Sequence, residues 1–151
     1  MKKALRNITS LGFGLAIALL ILELFLYFYN PINQRIAKGE IKLPANMVYE
    51  MGNTDIKSLP SKIKHSKNEI GFRGPSLSDR GTKTSIICVG GSTTECFYLS
   101  DGQDWPAVLQ SKLGNRFWVN NAGLDGHSTF GHTVLLENHV LDLKPNYIIF
   151  L

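Results

Sequence analysis

The sequence predicts an α/β domain, a parallel sheet with helices on both faces in three layers, preceded by one N-terminal membrane-spanning helix. Three observations carry this. From residue 84 onward, short apolar runs alternate with helical patterns in the order strand, helix, strand, helix, strand. The first of these runs, TSIICVG, is a short apolar run of the kind that strands buried inside a parallel sheet show. The first thirty residues hold one long apolar stretch of a different kind. With 44% hydrophobic residues, 16 basic and 12 acidic side chains, the 151-residue chain has the composition of a folded protein rather than a disordered one.

Lys2, Lys3 and Arg6 precede LGFGLAIALLILELFLYFY, residues 11–29, in which Glu23 is the one charge. As a helix this run is about 28 Å long, close to the hydrocarbon thickness of a bilayer. Tyr27 and Tyr29 fall where interfacial aromatics sit. A cleaved signal peptide has a shorter apolar region and small residues before its cleavage site, and a buried core helix carries more polar positions. Residues 1–30 are therefore expected to form a retained, single-pass anchor in the cell membrane. The leading basic residues favour a cytoplasmic N-terminus and an extracytoplasmic remainder, although Arg35, Lys38 and Lys42 on the far side nearly balance them.

Residues 31–83 show no clear period, with Pro31, Pro44, Pro60 and Pro75 scattered among ten basic and five acidic side chains. Residues 84–151 carry three and six. The expectation is a basic juxtamembrane lead-in, either lying along anionic headgroups or forming a solvated tether. No internal repeat is visible, and no nucleic-acid partner is expected.

After TSIICVG, the stretch DWPAVLQSKLG reads as a helix: Asp104 is placed to cap it, Pro106 sits in its first turn and Gly114 stops it. RFWVNN is the second strand. STFGHTVLLENHVLDLK is a second helix with Leu136, Val140 and Leu143 on one face, Pro145 breaks it, and NYIIFL is the third strand. Right-handed crossovers then make the sheet parallel, and ligands of such sheets bind at the carboxyl ends of the strands. Cys88 lies in the first strand and Cys96 beyond its turn, so neither a disulfide nor a metal pair is expected.

Two loops lie at that sheet edge, GGSTTEC at 90–96 and NAGLDGHS at 121–128. Two glycines before a serine suggest a close approach to the backbone. A phosphate would need the lysine of a P-loop or G-x-G-x-x-G spacing, and both are missing. A serine nucleophile needs an exposed hydroxyl, a general base and N–H donors for an oxyanion. Ser92 supplies the hydroxyl, and the N–H groups of Ser92 and Gly126 are two candidate donors, with no side chain at Gly126 to block a carbonyl. Gly91, Asp125 and His127 are expected beside the substrate. His132 and His139 lie two helical turns apart, too far for a metal pair, and are expected at the surface.

From Asn68 to Leu151 the chain resembles the opening part of the SGNH hydrolases, the GDSL-like lipase/esterase family. NEIGFRG resembles the lead-in of membrane-anchored bacterial members. VGGSTTECF resembles the first block, with Ser92 in the nucleophile position and Gly91 where many members carry Asp. NNAGLDGHS resembles the second block, with Gly126 as the oxyanion-hole glycine, and KPNYIIFL the strand leading to the third block, Gly-x-Asn-Asp. The resemblance implies a flavodoxin-like α/β/α fold with more parallel strands than the three read here. It also implies a hydrolase that cleaves a small-molecule or carbohydrate ester through an acyl-enzyme, with no cofactor and no metal. The family's Asn donor and its downstream Asp and His would fall after Leu151, so residues 1–151 alone are expected to be inactive. The alternative is a catalytically inert remnant or a membrane-anchored binding protein.

Overall fold

The computed structural model describes residues 2–29, 36–37, 39–53 and 56–151. The chain divides into two compact units, residues 1–34 and 35–151. The first is helix α1 (Lys2–Phe28), which contains no proline and closes with the Tyr29 N–H donating to the Phe25 carbonyl at 2.7 Å. The helix starts well before residue 11, where the apolar run begins. Its segment Arg6–Phe28 is long and apolar enough to cross a membrane, and none of it is buried against protein. Of the charges weighed for its orientation, Arg35 and Lys38 lie outside the described residues.

The described residues between 36 and 83 form two short antiparallel pairs. Strands β1 (Ile36–Ala37) and β2 (Glu40–Ile41) pair antiparallel, as do β3 (Val48–Gly52) and β4 (Lys62–Ser66), with Tyr49 opposite His65 and Met51 opposite Ile63. In β4 the period of two is plain: Ile63 and His65 point inward, Lys62 and Lys64 outward. The next lysine, Lys67, is buried, and so are Phe72 and Arg73. Arg73 pairs antiparallel with Asn121 through both backbone bonds, at 2.9 and 2.8 Å. The boundary expected at residue 83 therefore has no counterpart in the packing, since this segment shares the core of the rest.

The sheet is that expected: β5 (Thr84–Val89), β6 (Phe117–Asn121) and β7 (Tyr147–Phe150) run parallel in the order β6-β5-β7. Between them lie α2 (Ser92–Glu95), α3 (Trp105–Leu113) and α4 (Thr129–Leu135). Alternation along the strands separates two apolar clusters. Ile87, Val89, Trp118 and Ile148 meet Phe72, Leu135 and Val140 on one face. Ile86, Cys88, Val119 and Ile149 meet Trp105, Leu109 and Leu113 of α3 on the other.

Two elements differ from their sequence reading. Asp104 occupies the N-cap of α3, but its side chain makes no capping bond. Its carboxylate turns inward, 3.0 Å from Asn121 Nδ2 and 3.5 Å from Arg73, because a buried cation holds a carboxylate more strongly than a neutral helix N–H does. The last helix is not uniform either. After Leu135 it widens to a π turn over Leu136–Val140 and tightens to a 3₁₀ turn over Leu141–Leu143. The wider turn puts Leu135 and Val140, five positions apart, both fully buried.

The burial of Phe72 generates a prediction. Phe72→Ala removes a 1% exposed side chain from the main cluster, which typically costs about 3–5 kcal/mol. The urea midpoint followed by tryptophan fluorescence should fall accordingly. A change under about 1 kcal/mol would return this segment to the role of a tether.

Candidate active site

Ser92 is the first residue of α2, placed beyond the carboxyl end of the central strand β5 and exposed. The turn that brings it there depends on Gly90. A Cβ built on Gly90 would lie 2.1 Å from Thr94 Oγ1 and 2.6 Å from the Leu151 carbonyl oxygen. The close approach read from the two glycines is thus, at Gly90, made by the protein's own α2. Gly91 differs: it is the N-cap, and its carbonyl accepts the N–H groups of Thr94 and Glu95 at 3.0 and 2.9 Å.

A four-residue helix is not stable by itself. Its carbonyl end is held by two buried side chains. Arg73 donates from one guanidinium nitrogen to the carbonyls of Glu95 (2.8 Å) and Cys96 (2.9 Å), and from the other to that of Leu99 (3.0 Å). Asn121 Nδ2 donates to the Thr94 carbonyl at 2.6 Å. The Arg73 charge is met by Asp101 at 3.4 Å and Asp104 at 3.5 Å. Cys96 closes the turn in the left-handed region, φ 49°.

The second loop lies flush against this helix. A Cβ on Gly123 would come within 2.3 Å of the Glu95 nitrogen, so no other residue fits there. The Leu124 N–H donates to the Gly90 carbonyl at 3.0 Å, and the Asp125 N–H donates to the Glu95 carboxylate. Gly126 follows at φ +73°, in open space, exposed. The backbone N–H groups of Ser92 and Gly126, and the Ser92 hydroxyl, have no hydrogen-bond partner among the described residues. Oxyanion donors must be unpaired in this way before substrate arrives.

The other expected site residues divide. His127 brings its backbone beside Gly91: its carbonyl oxygen is 3.7 Å from a Cβ built there. Its ring, however, packs over Gly131 and stacks on His132 with centroids 6.4 Å apart, its two nitrogens shielded from solvent. The Asp125 side chain is exposed and its backbone does the tethering. His132 and His139, expected at the surface, are half-buried; His139 Nε2 sits 2.9 Å from the Ile41 carbonyl oxygen. Among the described residues no group of three His, Cys, Asp or Glu could hold a metal ion.

The sequence reading missed the charges beneath the turn. Glu95 is 2% exposed, with Lys67 Nζ 3.0 Å and His65 Nε2 4.0 Å from its Oε1. Arg73 and Glu95 stand inside stretches that were singled out, NEIGFRG and GGSTTEC, yet charges default to the surface when read from sequence. The cue that was present is the pair Asn120–Asn121 ending an apolar strand, since buried amides there need partners.

His65 carries a pH dependence. Burial, then the charges of Arg73 and Lys67, push its pKa down from 6.5 to about 4. The folded protein therefore resists a proton that the unfolded chain accepts. Above pH 6.5 this has no effect; as pH falls from 6.5 towards 4, stability drops by up to about 3 kcal/mol. Denaturation midpoints should fall over that window, and the fall should shrink in His65→Gln. An unchanged slope in the variant would assign the decline to other groups. No known protein family, curated protein or solved structure matches this chain, so the functional reading rests on the site itself.

Proposed function

We propose that the protein is a serine ester hydrolase of SGNH type, held at the cell membrane by α1 with residues 35–151 on the extracytoplasmic side. The observation that carries this is the pairing of an exposed Ser92 at the end of the central strand with unpaired N–H groups on Ser92 and Gly126, in two loops bound to each other. Helical layers on both sheet faces agree with the α/β/α arrangement that the family resemblance implies.

In this reading Ser92 Oγ attacks the ester carbonyl, forming a C–O bond while a general base takes the hydroxyl proton. The oxyanion accepts from the Ser92 and Gly126 N–H groups. Collapse breaks the bond to the alcohol oxygen, which leaves with a proton, and water then releases the acid by the reverse sequence. Acetyl or other acyl esters of envelope carbohydrate fit an anchored, outward-facing enzyme. The base and a further donor are those of the family's Asp-x-x-His and Gly-x-Asn-Asp blocks, patterns that residues 1–151 do not contain.

General-base assistance is worth about 10²–10⁴-fold. Residues 1–151 should therefore hydrolyse p-nitrophenyl acetate no faster than their Ser92→Ala variant. A chain continued through both blocks should exceed that rate by at least this factor, label with a fluorophosphonate, and lose both properties on Ser92→Ala. Activity that survives Ser92→Ala in the longer chain would remove Ser92 as nucleophile. If residues 1–151 turn over efficiently instead, the base lies within them, and His127 is the first position to substitute.

The anchor is tested separately. The chain should stay in the membrane fraction through carbonate washing, and residues 35–151 should be cut by protease added outside spheroplasts. A shorter species released into the soluble fraction would make the apolar segment a signal peptide. Protection from external protease would reverse the orientation.

A further inference from the structure

The geometry points to Glu95 as a positioning residue for the oxyanion site, clasping the Gly126 loop to the helix that carries Ser92, with Lys67 as its counter-charge. This deepens the reading of the site as an esterase and rests on it.

Glu95 belongs to the same helical turn as Ser92, three residues on, but faces the interior at 2% exposure. Its two carboxylate oxygens serve different parts of the molecule. Oε1 meets Lys67 Nζ at 3.0 Å, both side chains being almost wholly buried. Oε2 accepts the N–H of Asp125, the residue immediately before Gly126. The candidate donor is thus one peptide away from a charge-assisted bond to the nucleophile's own helix.

A surface loop with a left-handed glycine is otherwise free to rotate its peptides. Gly126 has open space on its side-chain side, with no atom within 4 Å of a Cβ built there. Its direction is inherited from Asp125 on one side and from the His127 N–H bond to the Leu124 carbonyl, 3.3 Å, on the other. A carboxylate fixes the Asp125 N–H more firmly than a neutral acceptor does. Burying that carboxylate is costly unless it is paired, and Lys67 pairs it. Neutral His65, 4.0 Å away, does not compete for the charge. Lys67 comes from the segment before the sheet, so that segment has a reason to be built into the same unit as the site.

The test compares Glu95→Gln, which keeps an acceptor for Asp125, with Glu95→Asp, which keeps the charge but withdraws it by one methylene, and with Glu95→Ala. Amide hydrogen exchange over residues 122–128 is read on the full 151-residue chain in detergent micelles. Exchange should quicken at least tenfold at Asp125 in the Ala and Asp variants, by a smaller factor in Gln, which keeps an acceptor without the charge, and be unmoved by Ser92→Ala. In a chain continued through the base-bearing blocks, Glu95→Ala should lower kcat for p-nitrophenyl acetate about 10²-fold, the usual effect of an oxyanion donor. KM should stay within about threefold, and Glu95→Gln should recover part of the loss. Unchanged Asp125 exchange in both the Ala and Asp variants would overturn the proposal. So would an unchanged kcat in Glu95→Ala, which would separate the Asp125 bond from the oxyanion site. If Glu95→Ala does not fold, the Asp and Gln pair decides by the same criteria. Activity that survives Ser92→Ala would sink the esterase reading but leave the exchange result to judge the clasp.

Discussion

The Arg73 guanidinium is the interaction on which the rest of the site depends. It is 2% exposed and reaches three carbonyls, those of Glu95, Cys96 and Leu99, at the end of the turn bearing Ser92. Within α2 the Ser92 carbonyl accepts the Cys96 N–H and the Thr94 carbonyl accepts Asn121, and buried carbonyls without donors are costly. The arginine fork meets the Glu95 carbonyl and the two beyond the helix from one rigid group. Its backbone adds two bonds to Asn121, whose side chain donates to Thr94 and whose strand leads to the second loop. One residue therefore sets the position of both loops relative to the sheet.

Around that arginine the charges are arranged to balance. Asp101 and Asp104 face Arg73, and Glu95 faces Lys67, with His65 kept neutral by burial. Replacing such pairs by apolar residues is often neutral for stability, so their worth lies elsewhere. Each pair joins segments distant in sequence: β4 and the residues after it with α2, and Arg73 with the start of α3. An apolar contact tolerates sliding, whereas a bond to a particular carbonyl or carboxylate oxygen does not. In the proposed esterase reading, two loops that present N–H groups to one oxygen atom need that kind of fixity.

Glycine contributes by the opposite means, through the absence of a side chain. Gly90 and Gly123 are filled against α2 from two directions, by Thr94 and by the Glu95 and Thr94 backbone. Gly126, by contrast, stands open. The distinction separates glycines that let the protein approach itself from the one that leaves space for something else. It also explains how Ser92 and Gly126 stay exposed while Thr94 and Glu95, on the same short helix, are buried.

The sequence by itself determined the membrane-length helix, the order of strands and helices after residue 84, and the two glycine loops at one sheet edge. These follow from local rules: hydropathy over a bilayer's thickness, an apolar run between turn residues, and proline and glycine at helix ends. The positions of Ser92 and Gly126 beyond the strand ends were legible for the same reason, since a loop at a strand's carboxyl end is placed by topology. Only the tertiary structure decided that residues 36–83 belong to the domain, that Asp104 turns from its cap to Arg73, and that the His127 ring faces α4. Lys67, Arg73 and Glu95 are ordinary surface residues by composition. Their burial exists because partners 22 to 31 positions away arrive in the same place: Arg73 with Glu95 and Asp104, Lys67 with Glu95, Asp125 with Glu95. Pairings of charges at that separation have no period and no local signature, so the folded chain alone can reveal them.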